Sequence, residues 1–206
     1  MLQNLKVLDV SRVLAGPLCA QTLSSLGARV IKVEPPTGDL TRRWKPSPGA
    51  VEAYFGAVNR GKESVVLDLS SGAGQKALSS LIGSCDVVVH NYLPAVASKL
   101  GLDYDSCKLS NPSIIHASIS GYGPESEEPG YDIIASAEYG LMSCTGDAAP
   151  GMKAGVALVD TMAGLNLACG VLAKVVERIE GRMRCGRVHG SLKANCVAGL
   201  ANVGHR

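Results

Sequence analysis

Aromatic and charged residues are scarce in this sequence. Aromatic residues make up 4% of it, charged residues 18%, and the formal net charge is only +2. There is no run of lysines and arginines and no alternation of basic with aromatic residues, so the sequence predicts no nucleic-acid partner. With 46% hydrophobic residues and 24 glycines in 206 residues, the chain can bury a sizeable core in one closely packed domain, or in two small ones at most.

Paired cysteines are missing as well. The seven cysteines are scattered, without a C-x-x-C pair or a Cys/His cluster, which argues against a zinc site and against a disulfide framework. We expect reduced thiols in an intracellular protein, mitochondrial or cytoplasmic and not secreted. The first residues lead directly into a strand-like stretch and do not read as a secretory signal. The apolar stretch 155–175 contains Asp160, Thr161 and Asn166, so we interpret it as a core helix and predict no membrane partner.

Strand-like and helix-like segments alternate along the chain. This alternation predicts an α/β fold: an open, mainly parallel, Rossmann-like sheet with helices on both faces. The predicted strands lie at 6–10, 29–33, 64–67, 86–89 and 114–118. The predicted helices lie at 15–27, 53–58, 72–82, 94–100, 132–141 and 159–180. Residues 1–181 are predicted to form one large α/β domain, and residues 182–206 a divergent tail with a helical pattern from about Leu192.

Asp160 is the one carboxylate in the apolar stretch GVALVDTMAGLNLACGVLAKV at 155–175, where desolvation of a charge is costly. One interpretation is an N-cap, since Asp bonds the free N–H groups of a helix's first turn well. The other is a reactive carboxylate held in a dry pocket, because a helix N-terminus also stabilises a nucleophilic anion. Local sequence leaves both open.

Nucleotide-binding and hydrolase motifs are weak or missing. GAGQKA at 72–77 fits G-x-G-x-x-A, but it lies outside the first strand–helix turn and lacks the acidic residue expected about 20 positions later. Ordinary turn glycines are the better interpretation. His90 and His116 lie in or beside predicted strands, so we expect them to be buried and hydrogen-bonded.

Loops after several predicted strands carry cations, aromatic rings and glycines. Ligands of open α/β sheets bind at the carboxyl ends of the strands. Together these loops suit a large, phosphorylated and partly aromatic ligand. The segments are RVLAGP, GDLTRRW, VNRGKESVVLDL, HNYLP and GYGPESEEPGYD.

In their order and spacing, these segments resemble the class III CoA-transferases, a family that includes formyl-CoA and succinyl-CoA–glutarate types and has the α-methylacyl-CoA racemases as relatives. The resemblance covers residues 1–180. It implies the large-domain portion of that fold, with the second domain absent. It also implies that acyl-CoA and a small carboxylic acid are substrates, with no permanently bound cofactor, and that two full-length chains form an interlocked homodimer. The matching stretches run LKVLDVSRVLAGPLCAQTLSSLGARVIKVEPPTGDLTRRW, YFGAVNRGKESVVLDL, DVVVHNYLPAVASKLGL, NPSIIHASISGYG, PGYDIIASAEYGLMSCTG and GVALVDTMAGLNLACGVLAKV.

The resemblance also assigns roles to residues. Asp160 stands in the position of the catalytic nucleophile, and the small residues Gly155, Ala157, Ala163 and Gly164 leave a thioester room to approach it. The positions that contact coenzyme A in the family are Val13, Leu67, Asn91, Tyr92, Lys99 and Leu100. The positions that line the substrate pocket are Leu14, Trp44, Tyr54 and Tyr131.

Three of these positions bear on specificity. Lys99 replaces a common Arg, so it can still meet a phosphate, though not through two parallel bonds. Leu14 replaces a Gln of the formyl-CoA enzymes, which disfavours oxalate and formate. Tyr131 stands where the racemases have a catalytic His, and a phenol with an ordinary pKa near 10 is a poor base at neutral pH. Acyl transfer is therefore favoured. Racemisation of an α-methylacyl-CoA and a non-catalytic fragment that binds CoA or pairs with a full-length subunit are the alternatives.

Overall fold

A computed structural model describes residues 1–44, 52–146, 151–182 and 185–200. The strands are β1 (Lys6–Asp9), β2 (Arg29–Glu34), β3 (Glu63–Val66), β4 (Val87–His90), β5 (Ile115–Ser120) and β6 (Gly186–Ser191). The helices are α1 (Ala15–Ser25), α2 (Ala53–Asn59), α3 (Gly72–Ser84), α4 (Pro94–Lys99), α5 (Tyr104–Ser110), α6 (Asp132–Glu138), α7 (Leu158–Ile179) and α8 (Leu192–Leu200). Short 3-10 turns occupy Leu40–Arg43 and Met142–Cys144.

The six strands form one sheet in the order β3-β2-β1-β4-β5-β6. All pairs are parallel, and Leu8 in β1 lies between Ile31 of β2 and Val88 of β4. This is the strand order of the doubly wound dinucleotide-binding sheet, in which ligands bind where the order reverses, here between β1 and β4. The predicted α/β fold with an open parallel sheet is confirmed.

Both faces of the sheet are covered, because successive residues of each strand point to opposite sides. In β4, Val87 and Val89 pack into the core under α1, α6, α7 and α8. Val88 between them packs into the core under α3, α4 and α5. A strand buried on both faces has a continuous run of β-branched residues, which is why VVV at 87–89 is a clear strand signal.

Two regions differ from the sequence-based expectation. Helix α5 was not predicted, since seven residues of mixed polarity carry little periodicity. The Asp103 carboxylate caps its first turn by accepting a hydrogen bond from the Ser106 N–H at 3.0 Å. The predicted division at residue 181 also differs from the structure. Strand β6 pairs with β5, placing His189 beside Ser118, and α8 packs into the same core. The short, glycine-containing strand GRVHGS has too little hydrophobic alternation to be recognised without its partner.

Helix α7 is the central helix of one face. By length and composition alone it is apolar enough to cross a membrane, but in the fold its buried side packs on the sheet and α1. At Gly164, a β-carbon would lie 2.5 Å from the carbonyl oxygen of Ala15, so the two helices touch backbone to backbone. Ala163 is fully buried in the core. The small size of Ala163 and Gly164 therefore serves helix packing, and the expectation that they widen a substrate pocket was wrong.

Candidate active site

The first turn of α7 is capped from a distant part of the chain. The Asp132 carboxylate accepts hydrogen bonds from the backbone N–H groups of Val159 and Asp160, at 2.8 and 3.2 Å. The residue preceding the helix, Ala157, has no capping side chain. Because Asp132 takes the role of the cap, the interpretation of Asp160 as an N-cap was wrong.

The Asp160 side chain therefore has no capping role in α7. It is partly buried, and its carboxylate has no hydrogen-bond donor within the described part of the chain. Burial, together with a smaller contribution from the negative charge of Asp132, raises the pKa of this carboxyl to about 6. Burial also raises the pKa of the Tyr54 phenol, with the charges of Asp160 and Asp132 contributing. Tyr54 thus shares the electrostatic environment of Asp160.

Replacing Asp132 by Asn should lower the pKa of Asp160. The amide oxygen of Asn can still accept the two backbone hydrogen bonds, whereas the like charge that disfavours ionisation of Asp160 is removed. We expect the ionisation midpoint of Asp160, followed by carboxyl ¹³C NMR, to fall below the value of about 6. Asp132→Ala should in addition destabilise the fold by ~1 kcal/mol through loss of the cap. An unchanged midpoint in Asp132→Asn would show that burial alone sets this pKa.

The turn between β1 and α1 meets the end of β4 at the point where the strand order reverses. The Asn91 side chain accepts a hydrogen bond from the Arg12 N–H at 2.9 Å and donates one to the Arg12 carbonyl at 2.8 Å. The Arg12 guanidinium lies over the Tyr92 ring, 4.7 Å from its centroid. Val13 follows Arg12 in the same turn. The structure thus groups three of the predicted CoA-contact residues, Val13, Asn91 and Tyr92.

A pocket of about 170 Å³ lies beside this turn, at the carboxyl ends of β2 and β3. Three predicted CoA-contact residues, Leu67, Tyr92 and Leu100, line it together with Pro35 and Pro36. Asp68 and Ser70 add polar groups to this lining, and a slot with apolar and aromatic walls and a few polar groups suits a planar ring. Lys99 is exposed at the end of α4, next to Leu100, where its ammonium can reach an anion outside the pocket.

The predicted substrate-pocket residues are less closely grouped. Trp44 and Tyr54 contact each other edge to face, with ring centroids 5.0 Å apart. Leu14 is partly buried at the start of α1, directly after Val13. Tyr131 is 61% exposed, so the structure as it stands leaves its ring open to solvent, while the next residue, Asp132, turns inward.

Two other sequence interpretations can be compared with the structure. His90 and His116 are buried and hydrogen-bonded, as expected, with their Nε2 atoms 3.1 Å apart. His116 is only partly satisfied, because its buried Nδ1 atom has no hydrogen-bond partner among the described residues. Lys62 belongs to VNRGKESVVLDL, one of the segments whose cations were expected together to suit a phosphorylated ligand, but it points inward and donates to the buried Asp9 carboxylate at 2.7 Å. Within the described residues there is no group of three or more His, Cys, Asp or Glu side chains arranged to hold a metal ion.

Sequence reasoning missed Asp132 and the buried charges around Asp9. Asp132 is the first residue of α6, and an acidic residue in that position indicates the start of a helix and nothing more. Its true partners are distant in sequence, and only the fold brings them together. Lys62 precedes a strand in a polar segment, where a lysine is normally solvated.

The chain combines this α/β fold with a partly buried carboxylate, Asp160, that has no hydrogen-bond donor among the described residues, and with a pocket at the carboxyl ends of β2 and β3. Residues 2–203 match the profile of CoA-transferase family III, and the chain belongs to this family. It is 42% identical to an acyl-CoA transferase of Fusarium pseudograminearum, over 98% of this chain and 47% of that protein. It is 41% identical to human succinyl-CoA:glutarate CoA-transferase, over 86% of this chain and 42% of the human one.

Solved structures agree with the family assignment. The crystal structure of a CAIB/BAIF family protein from Brucella suis superposes with a TM-score of 0.88 at 38% identity, covering 98% of this chain and 55% of that one. The chain thus spans about half the length of the curated relatives it matches.

Proposed function

We propose that this chain provides the nucleophile and the CoA site of an acyl-CoA:carboxylate CoA-transferase, with Asp160 as the nucleophile. The observation that carries the proposal is the Asp160 carboxylate, which is partly buried and accepts no hydrogen bond from the described residues. It lies one helical turn, about 6 Å along the axis, before Gly164. Gly164 in turn touches Ala15 at the start of α1, directly after the turn that carries Val13.

In the first half-reaction, an Asp160 oxygen attacks the thioester carbonyl of the donor acyl-CoA. The C–S bond breaks, CoA leaves as a thiolate, and an acyl–aspartyl anhydride remains. The thiolate then attacks the aspartyl carbonyl of the anhydride. The donor acid leaves as a carboxylate, and Asp160 is left as a CoA thioester.

In the second half-reaction, the acceptor carboxylate attacks this aspartyl thioester and releases the CoA thiolate again. The thiolate attacks the acceptor's carbonyl in the new anhydride, which forms the acceptor acyl-CoA and regenerates the Asp160 carboxylate. No proton is gained or lost in the cycle. Partial burial of the carboxylate suits this chemistry, because water weakens the nucleophilicity of a carboxylate and hydrolyses an anhydride.

The name of one relative and the residue Leu14 support a proposal for the substrate class. The human relative carries the name succinyl-CoA:glutarate CoA-transferase, and we propose succinyl-CoA with a dicarboxylic acid of the glutarate type as substrates. An apolar Leu14 offers no hydrogen bond to a very small, polar acid such as oxalate. We further propose that a full-length form works as an interlocked homodimer.

Racemisation is the less favoured alternative. A racemase needs a second base near the nucleophile, and residue 131 is a tyrosine whose side chain is 61% exposed. A phenol in water is a poor proton acceptor at neutral pH.

The test is covalent trapping on this chain. The protein is incubated with succinyl-CoA at pH 7, quenched with hydroxylamine, and mapped by mass spectrometry. We expect a hydroxamate at Asp160, none in Asp160→Asn, and an unchanged yield in Asp105→Asn, which alters an exposed carboxylate in α5. CoA binding without modification of Asp160 would identify a non-catalytic binding fragment. Exchange of the α-proton of an α-methylacyl-CoA without acyl transfer would favour the racemase.

A further inference from the structure

A cluster of buried charges lies behind the β1–α1 turn. Asp9, Lys32, Asp39 and the Lys62 side chain are all almost completely inaccessible to solvent. Lys62 Nζ lies 2.7 Å from Asp9 Oδ2, and Lys32 Nζ lies 3.8 Å from the same oxygen and 3.3 Å from Asp39 Oδ2. Two cations and two carboxylates therefore balance each other inside the protein.

These charges bind the backbone on both sides of the turn. Lys32 Nζ donates to the Ser11 carbonyl at 3.0 Å, and Lys62 Nζ donates at 2.8 Å to the carbonyl of Pro17, in the first turn of α1 directly after it. The Asp9 carboxylate accepts hydrogen bonds from the Ser11 N–H, at 3.0 Å, and from the Ser11 hydroxyl. The turn is thus held at both ends, and the Asn91 side chain holds Arg12 between them.

Val13, which lies in this turn, has a strained backbone conformation. Val13 has φ 69°, and among the described residues it is the one non-glycine with positive φ. A β-branched side chain is disfavoured in that conformation and persists there only when its surroundings enforce it. A glycine at this position would adopt the same φ without strain.

A purely structural role does not account for this arrangement. Well-packed apolar side chains in place of a buried ion pair are often as stable or more stable, and a strained valine lowers stability further. Strained backbone of this kind is concentrated at ligand sites, and this turn lies where the strand order reverses.

We infer that Asp9, Lys32 and Lys62 are positioning residues that hold the Ser11–Leu14 turn in its strained shape, so that the turn is preorganised for acyl-CoA. This inference rests on the proposed function, because it takes the turn as part of the CoA site. The three side chains act through the backbone of the turn and do not contact the ligand themselves.

The test is a double-mutant cycle between Lys62→Met and Val13→Gly, with CoA affinity measured by calorimetry on the whole chain. With Val13 present, Lys62→Met should weaken CoA binding by about tenfold or more, because the turn relaxes to negative φ. In the Val13→Gly protein, Lys62→Met should weaken CoA binding by less than about threefold, because glycine adopts a positive φ without support from the buried charges. Equal losses in both backgrounds would overturn the inference.

A second readout is independent of CoA. The three-bond coupling between the amide and α protons of residue 13 reports φ, and it should change on Lys62→Met in the Val13 protein. Asn59→Ala, which removes only one of the three acceptors of Lys62, replaces Lys62→Met if that variant does not fold, with the same direction expected. An unchanged coupling in a folded variant would contradict the inference. Failure of the unsubstituted chain to bind CoA, with the coupling changing as expected, would instead contradict the proposed function.

Discussion

Replacing Asp160 by Asn should stabilise the fold and abolish its reactivity. Burial and the neighbouring charge of Asp132 together raise the pKa of Asp160 from 3.8 to about 6, so in this range the native state holds a proton that the unfolded state has released. Stability therefore falls as the pH rises from about 4 to 6 and stays lower above that. A shift of this size corresponds to about 3 kcal/mol at pH 7, and Asn, which carries no charge, should recover much of it.

The measurements are urea unfolding of both proteins at pH 7 and at pH 4. The gain from Asp160→Asn should be largest at pH 7 and should shrink at pH 4, where the native Asp160 is protonated. Formation of the covalent adduct with succinyl-CoA should fall by about 10³-fold or more, because the attacking oxygen is lost. A variant that is less stable than the original at pH 7 would mean that the carboxylate is paired in solution, which contradicts the site described above.

The pH dependence of the reaction follows from the same group. Only the ionised carboxylate attacks the thioester, so the rate of adduct formation should rise with pH up to a midpoint near 6. The rise should track the NMR titration of Asp160 in the same protein.

Gly164→Ala should cause the largest loss of stability among the small substitutions considered. The added methyl group would lie 2.5 Å from the Ala15 carbonyl oxygen and 3.2 Å from the Leu18 β-carbon. A helix backbone cannot yield as the end of a flexible side chain can, so α7 must move away from α1. We expect a destabilisation of about 3 kcal/mol from overpacking, together with slower adduct formation, since α7 carries Asp160 and α1 begins at the CoA-binding turn.

Gly56→Ala is the matched control. Gly56 also lies within a helix, α2, but a β-carbon there meets no atom within 4 Å. The same change should therefore stabilise the protein by up to about 1 kcal/mol, through helix propensity alone. Equal effects of the two substitutions in chemical unfolding would contradict the close contact between α1 and α7.

Much of the site could be anticipated from local patterns. Asp160 is conspicuous because it interrupts an apolar helix, and the alternation of strands with helices places the loops after β1 and β4 at one edge of a sheet. These signals involve residues close together in the chain, where hydrophobic periodicity and desolvation cost can be assessed directly. The residues that support the site were not visible in this way. The residues adjacent to Asp132 in the sequence indicate only the start of a helix, and those adjacent to Lys62 indicate only a lysine on the surface.

The amino-acid sequence by itself determined the order of most strands and helices, the parallel α/β class and the identity of the unusual carboxylate. Each of these depends on residue type and spacing within a short segment. Only the tertiary structure decided that Asp132 caps α7, that Lys62 turns inward to Asp9, that Val13 is held at positive φ, and that β6 completes the sheet. These features depend on contacts between segments far apart in the chain, and the direction in which a polar side chain turns is set by the partner that folding brings to it.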